Sequence, residues 1–291
     1  MAVTAALVTA LLFLGNRWWG AEARNYSRIV YKPLQVSATL ESGGRLLLRL
    51  KDPGWLRRRL DDLIPDHTHL MHMYVIRLPE MERVWHLHPD QMEAGVFAQE
   101  LPAMPAGRYQ LFGDIVHASG IPETVTTELD LPDVAGKPLS GDDSAGAGPP
   151  VSQADPARTV AQLGGGGRMI WERTPLRAKE ATTFRFRIED QNGRPAQDLQ
   201  LYMGMVGHAA FVKMDRTVFA HVHPSGSVPM ASLSLTSTAG ADPHAGHQMG
   251  SGLPADVSFP FGLPQPGDYR IYVQIKRAGR VETGVFDAHV N

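Results

Sequence analysis

The chain is written twice. His72 followed by His86-Leu87-His88-Pro89 returns as His208 followed by His221-Val222-His223-Pro224, with fourteen residues from the first histidine to the pair in one copy and thirteen in the other. Further on, Pro105-Ala106-Gly107-Arg108-Tyr109 returns as Pro266-Gly267-Asp268-Tyr269, in each case a Pro/Gly turn feeding a tyrosine-led strand. An internal repeat of this kind restricts the fold to two copies of one unit.

The unit is built of strands. Val36, Ala38 and Leu40 alternate with polar or small neighbours, Gly43-Gly44 turns the chain, and Leu46, Leu48 and Leu50 resume the alternation. In the second copy Phe184, Phe186 and Ile188 alternate with Arg185 and Arg187 before the tight-turn signal Asn192-Gly193. Period-two patterns broken by turn residues, with no amphipathic helix after the N-terminus, predict an all-β protein. The expected architecture is two tandem antiparallel β-sandwiches of immunoglobulin-like or cupredoxin-like shape, over 30–131 and 168–291. Residues 132–167 are rich in Gly, Ala, Pro, Ser and Asp and read as a flexible linker, because so little apolar surface cannot offset the entropy of ordering.

Residues 1–23 begin with an apolar, uncharged run to Gly15, followed by Trp18-Trp19 and Ala21-Glu22-Ala23. The tryptophans suit the interfacial belt of a membrane anchor, whereas Ala-Glu-Ala suits a cleaved signal peptide. Both readings export the rest of the chain to a periplasmic or other extracytoplasmic space. A net charge of -2, with no basic stripe, excludes a nucleic-acid partner. Arg57-Arg58-Arg59, followed by Asp61-Asp62, is expected to be a solvated, self-neutralising turn.

The chain has no cysteine, which removes thiolate chemistry, disulfides and the thiolate ligand of a blue-copper centre. Histidines two apart on a strand share a face about 7 Å apart, so His86/His88 and His221/His223 are candidate ligand pairs. Overlaying the copies places His67, His69 and His72 on Met203, Met205 and His208, and Asp114 on Gln274, each five residues past its tyrosine. Thioethers favour Cu(I), whereas imidazoles suit Cu(II) and Zn(II) as well. The expectation is therefore one His-rich site in the first copy and one Met/His site in the second, with copper as the metal and zinc as an alternative at the first. Asp114, His117 and Gln274 are candidates to complete a site or to orient an imidazole. An insertion in the second copy, 225–255, carries His244, His247 and Met249 without apolar periodicity and is expected to be a metal-capturing loop.

The elements Gly207-His208, His221-Val222-His223-Pro224 and Gly267-Asp268-Tyr269 through Gln274 resemble a group of bacterial exported β-sandwich domains associated with periplasmic copper handling. The resemblance covers most of 168–291 and, more loosely, 34–131. It implies a copper-binding protein that sequesters the metal or hands it to a transfer partner. Met71 replaces the glycine before His72, and Asp114 replaces the Gln, so the first copy departs from the pattern. Two other classes remain open: a cupin-like metal enzyme, prompted by Glu93 after His86 and His88, and a membrane-anchored subunit of a larger complex.

Overall fold

The computed structural model describes residues 1–55, 58–236 and 252–291. Its first element, α1 (Ala2–Ile29), buries no residue and is long and apolar enough to cross a membrane, as an anchor or a signal sequence would. The helix continues beyond the expected 1–23. At its exit the indole Nε1 of Trp55 donates to Ile29 O at 3.2 Å, tying the helix end to the first sandwich.

The first repeat comprises β1 (Gln35–Glu41), β2 (Arg45–Lys51), β3 (His72–Leu78), β4 (Arg83–Leu87), β5 (Asp90–Glu93), β6 (Val96–Glu100), β7 (Gly107–Val116) and β8 (Pro122–Leu131). They form antiparallel sheets ordered β1-β2-β6-β5 and β8-β7-β3-β4. Between the sheets lies a core that includes Leu48, Met73, Val75, Trp85, Phe97 and Leu111. The second repeat comprises β11 (Arg168–Glu172), β12 (Thr182–Glu189), β13 (Leu199–Gln200), β14 (His208–Lys213), β15 (Phe219–Val222), β16 (Asp256–Phe261), β17 (Gly267–Arg277) and β18 (Arg280–Val290), with a short helix α2 (Met230–Thr236). Its core includes Trp171, Phe184, Phe186, Phe211 and Phe286. The chain is thus two tandem antiparallel β-sandwiches behind an N-terminal helix.

Both repeats carry the same corner. Tyr109 donates its hydroxyl to Pro105 O at 2.6 Å, and Tyr269 donates to Gln265 O at 2.8 Å, each four residues back. This tyrosine corner accompanies immunoglobulin-like sandwiches. The overlay drawn from sequence also holds at the level of the ladder, since His72 pairs with Asp114 and His208 with Gln274.

The sandwiches do not hang apart on a loose tether. Residues 132–167, expected to be a flexible linker, contain β9 (Ser144–Ala147), which pairs with β4, a single 3-10 turn (Val151–Gln153), and β10 (Val160–Gln162), which pairs with β11. Small residues are needed here for contact rather than for freedom. A Cβ on Gly146 would lie 2.5 Å from Cβ of Thr283 on β18.

A third apolar cluster joins the repeats, built from Tyr74, Ile76, Val84 and Phe112 of one and Ala210, Val212, Tyr272 and Val285 of the other. The sheets of β3 and β14 are therefore covered on both faces. That explains why β3 and β14 are buried almost continuously instead of alternating. Arg270 fastens the same interface. It is fully buried, donates twice to Asp287 at 2.8 and 2.9 Å, and reaches the carbonyl oxygens of Glu80, Met81 and Pro149 in or beside the first repeat.

Candidate metal centre

The histidines of the two repeats converge on this interface. Ring contacts of 4.0 to 6.3 Å between centroids link His67, His69, His72, His86 and His88 of the first repeat with His208, His221 and His223 of the second. Within them stand two triads whose potential ligand atoms all lie within 4.8 Å of one another: His72, His86 and His221, and His67, His208 and His223. Each triad draws on both repeats. The expectation placed one His-rich site and one Met/His site each inside its own repeat; the two groups whose ligand atoms converge instead span both repeats, although rings of one repeat also adjoin, as His72, His86 and His88 do at 4.6 to 5.3 Å.

The hydrogen bonds behind the first triad decide where its protons sit. His72 Nε2 lies 3.0 Å from the carbonyl oxygen of Asp66, which can only accept, so that nitrogen carries the hydrogen and Nδ1 is left with a lone pair. His86 Nδ1 lies 2.9 Å from Gln274 Oε1, whose own amide nitrogen donates to Ser144 Oγ at 2.8 Å. The proton of His86 is therefore on Nδ1, and Nε2 is bare. Yet His72 Nδ1 and His86 Nε2 face each other at 3.1 Å. With both outer nitrogens protonated and both rings neutral, this contact is two lone pairs and not a hydrogen bond. On the third member, Asp114 Oδ2 lies 3.5 Å from His221 Nδ1, while His221 Nε2 is buried with no partner among the described residues.

These outer contacts repeat with the roles exchanged. Gln274 of the second repeat orients His86 of the first, and Asp114 of the first faces His221 of the second. The repeats thus exchange an equivalent contact in an approximately two-fold way, as the halves of an isologous interface do, although the two triads are not equivalent under it. Gln274 hydrogen-bonds an imidazole, and Asp114 lies near one.

In the second triad both ring nitrogens of His208 and both of His223 are buried without a partner among the described residues. A buried polar atom left unpaired costs about 1–3 kcal/mol, and native interiors rarely tolerate several side by side. Burial, reinforced by the neighbouring imidazoles, pushes His72, His86, His208 and His223 well below the ordinary histidine range. Burial also lowers His88. All five are neutral at pH 7 and available as ligands. A cavity of about 300 Å³, lined by His72, His221, His223 and Asp114 among others, opens onto the centre.

Met203 and Met205 occupy the turn that matches His67 and His69. Met203 and Gly204 have φ of 51° and 77°, against 48° and 75° for His67 and Thr68, and the bridges Tyr202–Met205 and Asp66–His69 correspond. His244, His247 and Met249 lie outside the described residues. The start of their insertion docks on the first repeat, where the backbone N–H of Ala231 in α2 donates to Asp66 Oδ1 at 2.8 Å. Glu93, which a cupin-like site would need, is exposed at the end of β5 and belongs to neither triad.

Residues unnoticed in the sequence complete the surroundings. Asp142, Asp143 and Ser144 in the connecting segment reach His69, His88 and Gln274, and Tyr202 donates to Asp142 O at 2.7 Å. Tyr74 stacks on His86 at 4.1 Å. The signal for the first three was the polar run Ser140-Gly141-Asp142-Asp143-Ser144 in an otherwise bland stretch.

His117 is not part of the centre. Its Nδ1 and Nε2 lie 2.9 Å from Asp62 Oδ1 and Glu123 Oε2, and carboxylates only accept, so the ring is an imidazolium. Glu123 is also bridged by Nε and Nη2 of Arg58 at 2.6 Å, and Arg58 reaches Asp52 at 2.9 Å. Arg58 is buried in this network, contrary to the solvated turn expected for it. Arg59 does pair with Asp61 as expected, and Arg57 lies outside the described residues. The hydrogen bond to Glu123, ahead of that to Asp62, raises the His117 pKa. Its contribution to stability is thus complete below the unfolded value of about 6.5 and is lost as pH rises through the folded value. His117→Gln is expected to cost about 2 kcal/mol at pH 6 and much less at pH 9, read from urea unfolding at the two pH values. An equal cost at both would show the ring to be uncharged.

Comparison with known proteins places part of the chain. Residues 161–291 match a family model described as a domain of unknown function, DUF8832. No curated protein matches the chain in sequence. Among solved structures it is similar to the Escherichia coli adhesin FdeC (11% identity, 89% of this chain and 64% of that one, TM-score 0.24). It is also similar to fibronectin(III)-like modules of Clostridium thermocellum CbhA (8% identity, 88% and 94%, TM-score 0.21) and to a chimeric titin Z1Z2 tandem (12% identity, 89% and 97%, TM-score 0.19). The chain thus spans just under two thirds of the adhesin structure.

Proposed function

We propose that this chain is an exported copper-binding protein whose two repeats close on a shared pair of three-histidine sites, sequestering copper or passing it to a transfer partner. The reading is carried by ligand nitrogens of His72, His86 and His221 that lie within 4.8 Å of one another, those of His72 and His86 left bare by hydrogen bonds on their far sides. Ligating histidines are held in just this way, with the second nitrogen donating to an oxygen.

Copper is preferred over zinc on the chemistry of the donors. They are imidazoles, to which Cu(II) binds more tightly than Zn(II), and the soft sulfurs of Met203 and Met205 stand where the matching turn has His67 and His69. Export is supported by α1. Bound copper would supply a site for one-electron exchange. The protein's own part is to fix the tautomers and to keep bulk water from the nitrogens.

Purified protein titrated with Cu(I) under argon and with Cu(II) in air is expected to retain two ions per chain after desalting, by elemental analysis. His86→Ala/His221→Ala, which leaves the first triad one ligand, should reduce this to one. Retention of neither oxidation state would overturn the reading, and retention of zinc alone would replace copper by zinc.

A further inference from the structure

We infer that the cavity beside the first triad admits a small uncharged donor, the size of a diatomic molecule, to an open coordination position on the metal held there. The inference rests on the copper-binding reading above and adds to it an outside ligand and the route it takes.

The triad is one ligand short of a closed site. Among the described residues, the group of His72, His86 and His221 whose ligand atoms lie within 4.8 Å of one another has three members. Structural metal sites are closed by four protein ligands, whereas three leave a position for a molecule from outside.

The cavity of about 300 Å³ has His72 and His221 in its wall, and His86 is not among its lining residues. His86 is fully buried, with Tyr74 stacked on it at 4.1 Å and Gln274 Oε1 at 2.9 Å from its Nδ1. The protein thus closes the triad at His86 and leaves it open on the side of His72 and His221.

The walls select what enters. Ile115, Val116, Val218, Phe219, Phe261 and Pro264 make much of the lining apolar, which disfavours a strongly hydrated ligand. The charged lining groups are the carboxylates of Asp66 and Asp114, with no lysine or arginine among the described residues of the wall. Each carboxylate already accepts a hydrogen bond, Asp66 from the backbone N–H of Ala231 and Asp114 from the hydroxyl of Thr124. A wall of this sign opposes anions. A small neutral donor meets neither obstacle, and Cu(I), as a soft ion, accepts such ligands. Pro122 and Ser227 line the cavity and are themselves exposed, which marks its mouth.

Carbon monoxide is the probe. The full chain is loaded with Cu(I) under argon and desalted, bound gas is read from its infrared stretching band, and the rate of binding is followed after flash photolysis. The wild type should bind one molecule per chain, and His86→Ala/His221→Ala should bind none. Pro122→Trp/Ser227→Trp should retain as much copper as the wild type and bind the gas about tenfold more slowly, because entry then waits on the movement of an indole. A wild type that retains copper and shows no bound gas would overturn the inference and leave the triads standing. Binding that survives in His86→Ala/His221→Ala would overturn the assignment to the first triad, and an unchanged rate in the tryptophan variant would overturn the route. A wild type that retains no Cu(I) would instead remove the reading beneath it.

Discussion

Replacing His208 with leucine is expected to make the metal-free protein more stable and the metal-loaded protein less so. The side chain is fully buried, and both ring nitrogens lack a partner among the described residues. Without metal, this imidazole contributes its desolvation penalty and no compensating bond. Leucine, of similar volume, should therefore stabilise the apo state by about 1–3 kcal/mol. With metal the sign reverses. An ion present at a thousand times its dissociation constant stabilises the wild type by about 4 kcal/mol, and a triad that loses a ligand forfeits much of that. Thermal unfolding with and without copper reads both halves. A variant destabilised in the absence of metal would mean that His208 is a structural residue, and the second triad would fall with it.

Arg270→Met should cost about 3–5 kcal/mol, the usual result of removing one partner from a buried ion pair. It strands the carboxylate of Asp287, itself 2% exposed, and three backbone oxygens that Arg270 now satisfies. Those oxygens belong to Glu80, Met81 and Pro149, so the loss is concentrated where the repeats meet. Copper affinity should fall as well, because each triad depends on that contact. Arg270→Met/Asp287→Leu removes the stranded charge and should recover a large part of the stability. A single variant as stable as wild type would show that the interface is held by its apolar cluster alone.

What could be read from the sequence was whatever is local. Alternation in β2 and β12, the turn glycines, and the tyrosine before each Gln or Asp are short-range patterns, and the structure keeps them at matching places. The joining of the two histidine sets could not be read in this way. It depends on which face of a sheet meets another sheet hundreds of atoms away, and a strand's period does not encode that. One trace was present: the run Met73-Tyr74-Val75-Ile76 is apolar on both faces, which a half-solvated sheet would not need. The connecting segment misled for a different reason. Glycine and alanine signal freedom in a chain that touches nothing, but here they are small because β18 leaves no space for a side chain at Gly146. His117 misled because imidazole serves equally as a ligand and as a cation, and only its carboxylate neighbours distinguish the two.

The approximate two-fold at the centre bears on how such a site can acquire direction. Two separate identical chains meeting about that axis would present the same groups at both ends, so any change at one end would be copied at the other. Joining the halves in one polypeptide lifts that restriction: His67 and His69 can stand in one turn while Met203 and Met205 stand in the matching turn of the other half. It also makes closure of the centre independent of dilution, since each half meets its partner within one chain. A centre with unlike ends can receive an ion at one and release it at the other, which a perfectly symmetric pair has no means of doing.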